Sequence, residues 1–228
     1  MVGALALLAC AAPSPEPCLS ADGCPSSLEC IASRCAPAGS DPVPPTTRRA
    51  VMAPSRMAVS YRHGSDHGPA VPSEVTFGDP RLGDAALYLR FDVPWHELGR
   101  VQSAFLVLRP LPAGLPAPRP LPLEVRLARG DFSPGVLPWR RRPGLESGVG
   151  RALAPGRGEL PLRIDVTQLL RGRRSPSRAA VTVALFSTEP SAHGIAYGLH
   201  GHAAGSPELS LYHSPRSSAA RAEGHGGL

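Results

Sequence analysis

Four cysteines, Cys18, Cys24, Cys30 and Cys35, fall within eighteen residues, with five, five and four residues between them. An even number packed so closely reads as two disulfides in a chain that leaves the reducing cytosol. Four cysteines allow three pairings, and the spacing does not choose among them. The C-x2-C spacing of zinc knuckles is absent, so no metal is expected there. His63 and His67 in RHGSDHG, and His200 and His202 in HGH, sit in glycine-containing stretches without helical spacing. They read as surface histidines and not as metal ligands. Ser65 and Asp66 beside those histidines make no triad, because a triad is a matter of geometry and not of adjacency. Neither a G-x-S-x-G elbow nor a motif pairing two carboxylates is present. No catalytic residue and no cofactor are expected, and the chain reads as a non-enzyme.

The fifth cysteine, Cys10, ends the apolar run Val2–Ala9. Leu7-Leu8-Ala9-Cys10 resembles the lipobox of bacterial lipoproteins, in which the cysteine is acylated and becomes the mature N-terminus. The run is short and no arginine precedes it, as a start codon assigned too far downstream would leave it. Residues 1–10 are therefore expected to act as a lipoprotein signal peptide with Cys10 as the lipidation site. Several acyl chains anchor stably where one does not, at about 0.8 kcal/mol per buried methylene. No aspartate follows Cys10, so the resemblance implies the outer membrane or cell surface.

All 24 basic residues are arginine, since the chain has no lysine, and it has no asparagine. A phosphate-loop lysine, a Schiff-base lysine and an N-glycosylation site are thereby excluded. The net charge of +6 owes much to Arg140–Arg142 and to Arg171, Arg173, Arg174 and Arg178. Both clusters lie in Pro/Gly/Ser-rich connections without interleaved aromatics, so they read as solvated loops and not as a nucleic-acid surface.

The elements that must position any site follow from a period of two. Leu87, Leu89, Phe91 and Val93 alternate with Tyr88, Arg90 and Asp92, a strand with one buried face. Leu121–Leu127, Leu160–Val166 and Val181–Leu185 alternate likewise, and Val101–Leu108 is apolar on both faces, as a central strand is. Shorter strands are expected near Met57, Glu74, Ile195 and Leu209. One helical turn is expected at Asp165–Leu170, capped by Asp165 or Thr167. Eight or nine short strands between Pro/Gly turns predict an all-β fold, an antiparallel β-sandwich of the jelly-roll kind. The expected organisation is a signal-like segment (1–10), a Cys-rich knot of loops (11–36), a Pro-rich linker (37–55), the sandwich (56–213) and a disordered tail (214–228).

DAALYLRFDVPWHELGRVQSAFLVLRP, LPWRRRPG, LRIDVTQLLRG and SPELSLYHS occur in that order across most of residues 56–213. Together they resemble the DNRLRE-type domains, with their "LRFD" strand, their tryptophan before a proline, their "DVT" segment and their terminal "P-x-L" strand. The resemblance implies a secreted β-sandwich, related in some members to carbohydrate-binding modules.

Sugar recognition needs aromatic faces to stack on pyranose rings and Arg, Asp or Glu to bond hydroxyls. With 11 aromatics in the chain, Trp95, Tyr88 and Tyr197 are the candidate platform. Trp139 reads as a plug at the sandwich edge. Arg90, Arg126 and Arg163 stand beside Asp92, Glu124 and Asp165, where they form cross-strand ion pairs or take the carboxylates of an acidic polysaccharide. The expected function is a lipid-anchored bacterial surface protein with a non-catalytic module binding an acidic or neutral polysaccharide or a protein partner. The alternatives are a purely structural envelope lipoprotein and a polysaccharide-acting enzyme.

Overall fold

The computed structural model of the 228-residue chain describes residues 24–25, 28–31, 34–37, 47–63, 68–111, 120–154, 161–171, 180–187, 189, 194–201 and 205–215. The chain divides into two units, Met1–Pro42 and Val43–Leu228.

In the first unit, β1 (Leu28–Ile31) and β2 (Arg34–Pro37) form an antiparallel hairpin with Cys30 opposite Cys35. The expected knot of loops thus contains a paired ribbon. A disulfide joins Cys24 to Cys35, eleven residues on, and Cys24 and Leu28 pack against the buried Cys35. A unit this small cannot bury enough apolar surface to hold itself. Closing a loop of this length contributes about 3 kcal/mol in the chain-entropy account. Cys10 and Cys18, with the side chain of Cys30, lie outside the described residues.

The second unit is a sandwich of antiparallel sheets. Its strands are β3 (Arg48–Met52), β4 (Arg56–Tyr61), β5 (Glu74–Phe77), β6 (Ala85–Asp92), β7 (Val101–Leu108), β8 (Leu121–Leu127), β9 (Gly135–Val136), β10 (Gly150–Ala154), β11 (Leu162–Asp165), β12 (Ala180–Ser187), β13 (Ile195–Gly198) and β14 (Glu208–His213). The large sheet has the order β10-β8-β12-β6-β4-β9, the small sheet β11-β7-β14-β3, and β13 pairs with β5. Every pairing is antiparallel except that of β9 with β4.

Alternation builds the core. Leu87, Leu89 and Phe91 of β6, Leu121, Leu123 and Val125 of β8, and Val181, Val183 and Leu185 of β12 point inward from the large sheet. Ala104, Leu106 and Leu108 of β7 and Leu209 and Leu211 of β14 meet them from the small sheet in one continuous cluster. Central strand β7 is buried along most of its length, as its two apolar faces predict.

Three details differ from the pattern in sequence. The sandwich begins inside the stretch read as a linker, because Arg48–Met52 pairs with β14 and turns Ala50 and Met52 toward the core; the prolines flanking it hide a strand of period two. The outer face of β6 is buried as well, since Ala86 and Tyr88 are 2% and 1% exposed. The helical turn α1 (Thr167–Leu170) has Val166 at its N-cap position. Asp165 still serves it, accepting the Thr167 N–H at 2.8 Å, and Thr167 Oγ1 accepts the Ala104 N–H at 2.9 Å. That buried hydroxyl ties the turn to β7.

Candidate functional site

Rows of register partners run across the outer face of the large sheet. Ala58, Tyr88, Ala184 and Arg126 stand side by side on β4, β6, β12 and β8. Two of the four are alanine, so the row is a shallow trough with Tyr88 standing in it. The excursion from Ala128 to Val149, between β8 and β10, is laid into that trough. Phe132 is buried there against Tyr88, with ring centroids 6.0 Å apart, and Leu137, Trp139 and Phe186 pack round them. Backbone bonds fasten the excursion down, from the Ala128 N–H to the Thr182 carbonyl (2.9 Å) and from the Leu137 N–H to the Val59 carbonyl (2.8 Å). Asp131 adds a clamp, bridging Arg56 of β4 and Arg90 of β6 at 2.7 Å each. The Phe132 N–H, and then those two guanidinium groups, hold its carboxyl below the usual carboxylate range.

Beyond Phe132 the excursion makes a 3-10 turn at Trp139–Arg141. Tyr88, Trp139, Arg140, Arg142, Pro143 and Leu145 line a concavity of about 400 Å³. The Arg142 guanidinium carbon lies 3.3 Å from the centroid of the Trp139 ring, a close cation–π stack. Its Nε donates to the Trp139 carbonyl at 2.8 Å, and its positive charge acts on the Tyr88 phenol. Burial raises the Tyr88 pKa, while Arg142 pulls the other way.

Charge is distributed unevenly around this turn. Glu124 pairs with Arg126 (3.0 Å) and Arg151 (3.5 Å), Glu208 with Arg49 and Arg109 (3.4 Å each), and Asp84 with Arg62 (3.1 Å). Among the described residues, no carboxylate pairs with Arg140, Arg141 or Arg142.

The residues singled out in the sequence do not converge. Arg90 is spent on Asp131 and, at 3.7 Å, on Asp92. Arg126 pairs along its own strand with Glu124 and lies 5.8 Å from the centroid of the Phe186 ring. Arg163 stands on β11 in the small sheet, opposite Val107. Tyr197 is no platform: it is 1% exposed, meets Phe77 edge-on in the core, and burial raises its pKa. Tyr88 points to the outer face as predicted but lies beneath the excursion. Trp95 is half-buried against the main core, its Nε1 without an acceptor among the described residues. Trp139 covers the face of the large sheet and not its edge.

His63 joins Arg62, Asp79, Asp84 and Ser187 round a second concavity of about 240 Å³, and His200 Nε2 bonds the Val71 carbonyl at 2.8 Å. His67, His202, Arg173, Arg174 and Arg178 lie outside the described residues, as do 155–160 and 216–228. Among the described residues no group of three His, Cys, Asp or Glu side chains could hold a metal ion. No described helix is long and apolar enough to cross a membrane.

Arg140 and Arg142 belong to the arginine cluster expected to be a solvated loop. The signal in the sequence is the i, i+3 spacing of Trp139 and Arg142, which puts a guanidinium over an indole when the chain makes a single helical turn. No known protein family matches the chain, and no curated protein matches it.

Proposed function

We propose that this chain is an exported, lipid-anchored surface protein of a bacterium, and that its sandwich is a non-catalytic module binding polysaccharide on the outer face of the large sheet. The observation that carries this reading is the concavity at Tyr88 and Trp139, which Arg140 and Arg142 also line and where no described carboxylate neutralises either arginine. Its size and its mixture of apolar and polar lining suit a small organic ligand. The lipobox-like Cys10 supports the anchor. The Cys24–Cys35 bridge supports export, and it leaves Cys18 and Cys30 as the pair for a second disulfide.

The strand order supports a jelly roll. β3-β14-β7-β11 and β6-β12-β8-β10 interleave strands from the two ends of the chain, as two Greek keys wrapped on each other do. That architecture agrees with the likeness to DNRLRE-type domains and their carbohydrate-binding relatives. The non-catalytic reading rests on the carboxylates. Asp84, Glu124, Asp131 and Glu208 each face one or two arginines, and Asp131 is pushed toward the ionised form, whereas a glycosidase acid must be kept protonated.

A protein partner is the second reading, favoured by Leu153 on edge strand β10, which is 65% exposed. Affinity electrophoresis of the full chain through gels containing a panel of glycans tests the first. Retardation by at least one glycan is expected, and uniform mobility across the panel counts against saccharide binding. Mass spectrometry of the mature N-terminus tests the anchor, with diacylglyceryl on Cys10 as the expected result.

A further inference from the structure

We infer that the concavity at the Trp139–Arg142 turn recognises an oxyanion carried on a sugar, a carboxylate, sulfate or phosphate ester, through Arg142 and Arg140. This rests on the outer face being a saccharide-binding surface and specifies what that surface selects.

Three observations point to it. First, Arg142 is held in place before any ligand arrives, by its stack on Trp139 and its bond to the Trp139 carbonyl. A guanidinium has five N–H donors; the Trp139 carbonyl takes the Nε one, so those of the two terminal nitrogens remain for a ligand. A pre-positioned planar fork matches the paired oxygens of a carboxylate or sulfate at little further entropic cost. Second, Arg49, Arg56, Arg62, Arg90, Arg109, Arg126 and Arg151 all meet a carboxylate in the described structure, and Arg140–Arg142 do not. Arg48, Arg81, Arg100, Arg129 and Arg171 likewise meet no described carboxylate, but of these unpaired cations only Arg140 and Arg142 line the concavity. Third, Pro143 and Leu145 supply apolar contact next to the cations, as a sugar ring bearing one charged group requires.

The test is titration calorimetry of the full chain with four soluble probes: polygalacturonate, dextran sulfate, neutral dextran and a single-stranded oligonucleotide. Vesicles bearing a glycolipid with a phosphorylated sugar headgroup form a fifth arm. The variants are Arg142→Gln and Arg140→Gln, with Arg81→Gln as an equal change of charge on another exposed loop. Arg140 is exposed and makes no described bond, so its replacement leaves folding intact if Arg142→Gln disturbs it. The expected result is binding of a charged glycan and not of neutral dextran. Affinity then falls about tenfold or more in Arg142→Gln, falls in Arg140→Gln and is unchanged in Arg81→Gln. Binding to the vesicles alone, with the same dependence on the variants, assigns the oxyanion to a lipid headgroup.

Equal binding of neutral dextran, or equal losses in Arg81→Gln and Arg142→Gln, overturns the inference and leaves saccharide binding standing. Failure of every glycan and vesicle to bind removes both readings. Tighter binding of the oligonucleotide than of any glycan replaces the inference with a nucleic-acid surface.

Discussion

Phe132→Ala separates a built binding face from a loop resting on a sheet. Phe132 is 7% exposed and sits at the centre of the outer cluster formed by Ala58, Ala86, Tyr88 and Ala184. A buried phenylalanine removes about 150 Å² or more from water. At roughly 25 cal/mol per Å², less what alanine retains, its loss costs about 3 kcal/mol, the low end of the 3–5 kcal/mol typical of Phe→Ala in cores. The cost is capped wherever the excursion can open by itself, because a local opening relieves the cavity. Urea unfolding should therefore show a lower midpoint with little change in slope. Amide exchange should quicken at Ala128 and Leu137, which donate to the sheet, and stay slow on β7 and β14. Leu89→Ala in the main core provides the scale, at about 2–5 kcal/mol. A Phe132→Ala midpoint equivalent to less than about 0.5 kcal/mol, with exchange unchanged, would refute the packing of the excursion on the sheet and with it the concavity.

Three further outcomes follow from the same structure. Thr167→Val preserves shape but strands the Ala104 N–H that Thr167 Oγ1 accepts, so thermal or urea unfolding should show a loss of about 1–3 kcal/mol. Burial raises the pKa of Tyr61, Tyr88 and Tyr197. The folded state therefore holds these protons more tightly than the unfolded chain. Their contribution is complete below the ordinary tyrosine value of about 10 and is lost as pH rises through the folded values, so unfolding midpoints measured across the alkaline range should fall above about pH 10. Proteolysis under non-reducing conditions should yield a linked peptide pair containing Cys24 and Cys35, which separates on reduction.

How far the residues declared this structure depends on what alternation reports. A period of two reveals which side chains face the core, so β6, β7, β8, β11, β12 and β14 were legible. It is silent on what covers the other face. The cover here comes from Phe132, Leu137 and Trp139, which stand singly among prolines and glycines and show no period at all. Arg90 was legible as an outward residue, but its partner Asp131 lies 41 positions away and only the fold brings the two together. Tyr197 went the wrong way for a different reason. β13 has four residues, too few to fix which phase of the alternation faces inward. β3 was lost because the prolines around it imitate a linker, although its Ala50 and Met52 keep the strand period. The candidate site, in turn, is made by a single turn that stacks Arg142 on Trp139, a relation of sequence neighbours that strand patterning cannot show.

The most direct test is where a saccharide touches the protein. The chain has two tryptophans, Trp139 in the concavity and Trp95 against the main core, and their indole N–H signals are separable in a two-dimensional nitrogen–proton spectrum. Titration with polygalacturonate or dextran sulfate should move the Trp139 indole and the backbone signals of Arg140–Leu145 saturably, and leave the Trp95 indole and β14 in place. Saturable shifts confined to the small sheet or to the loop around Trp95, with Trp139 unmoved, would contradict binding at the concavity.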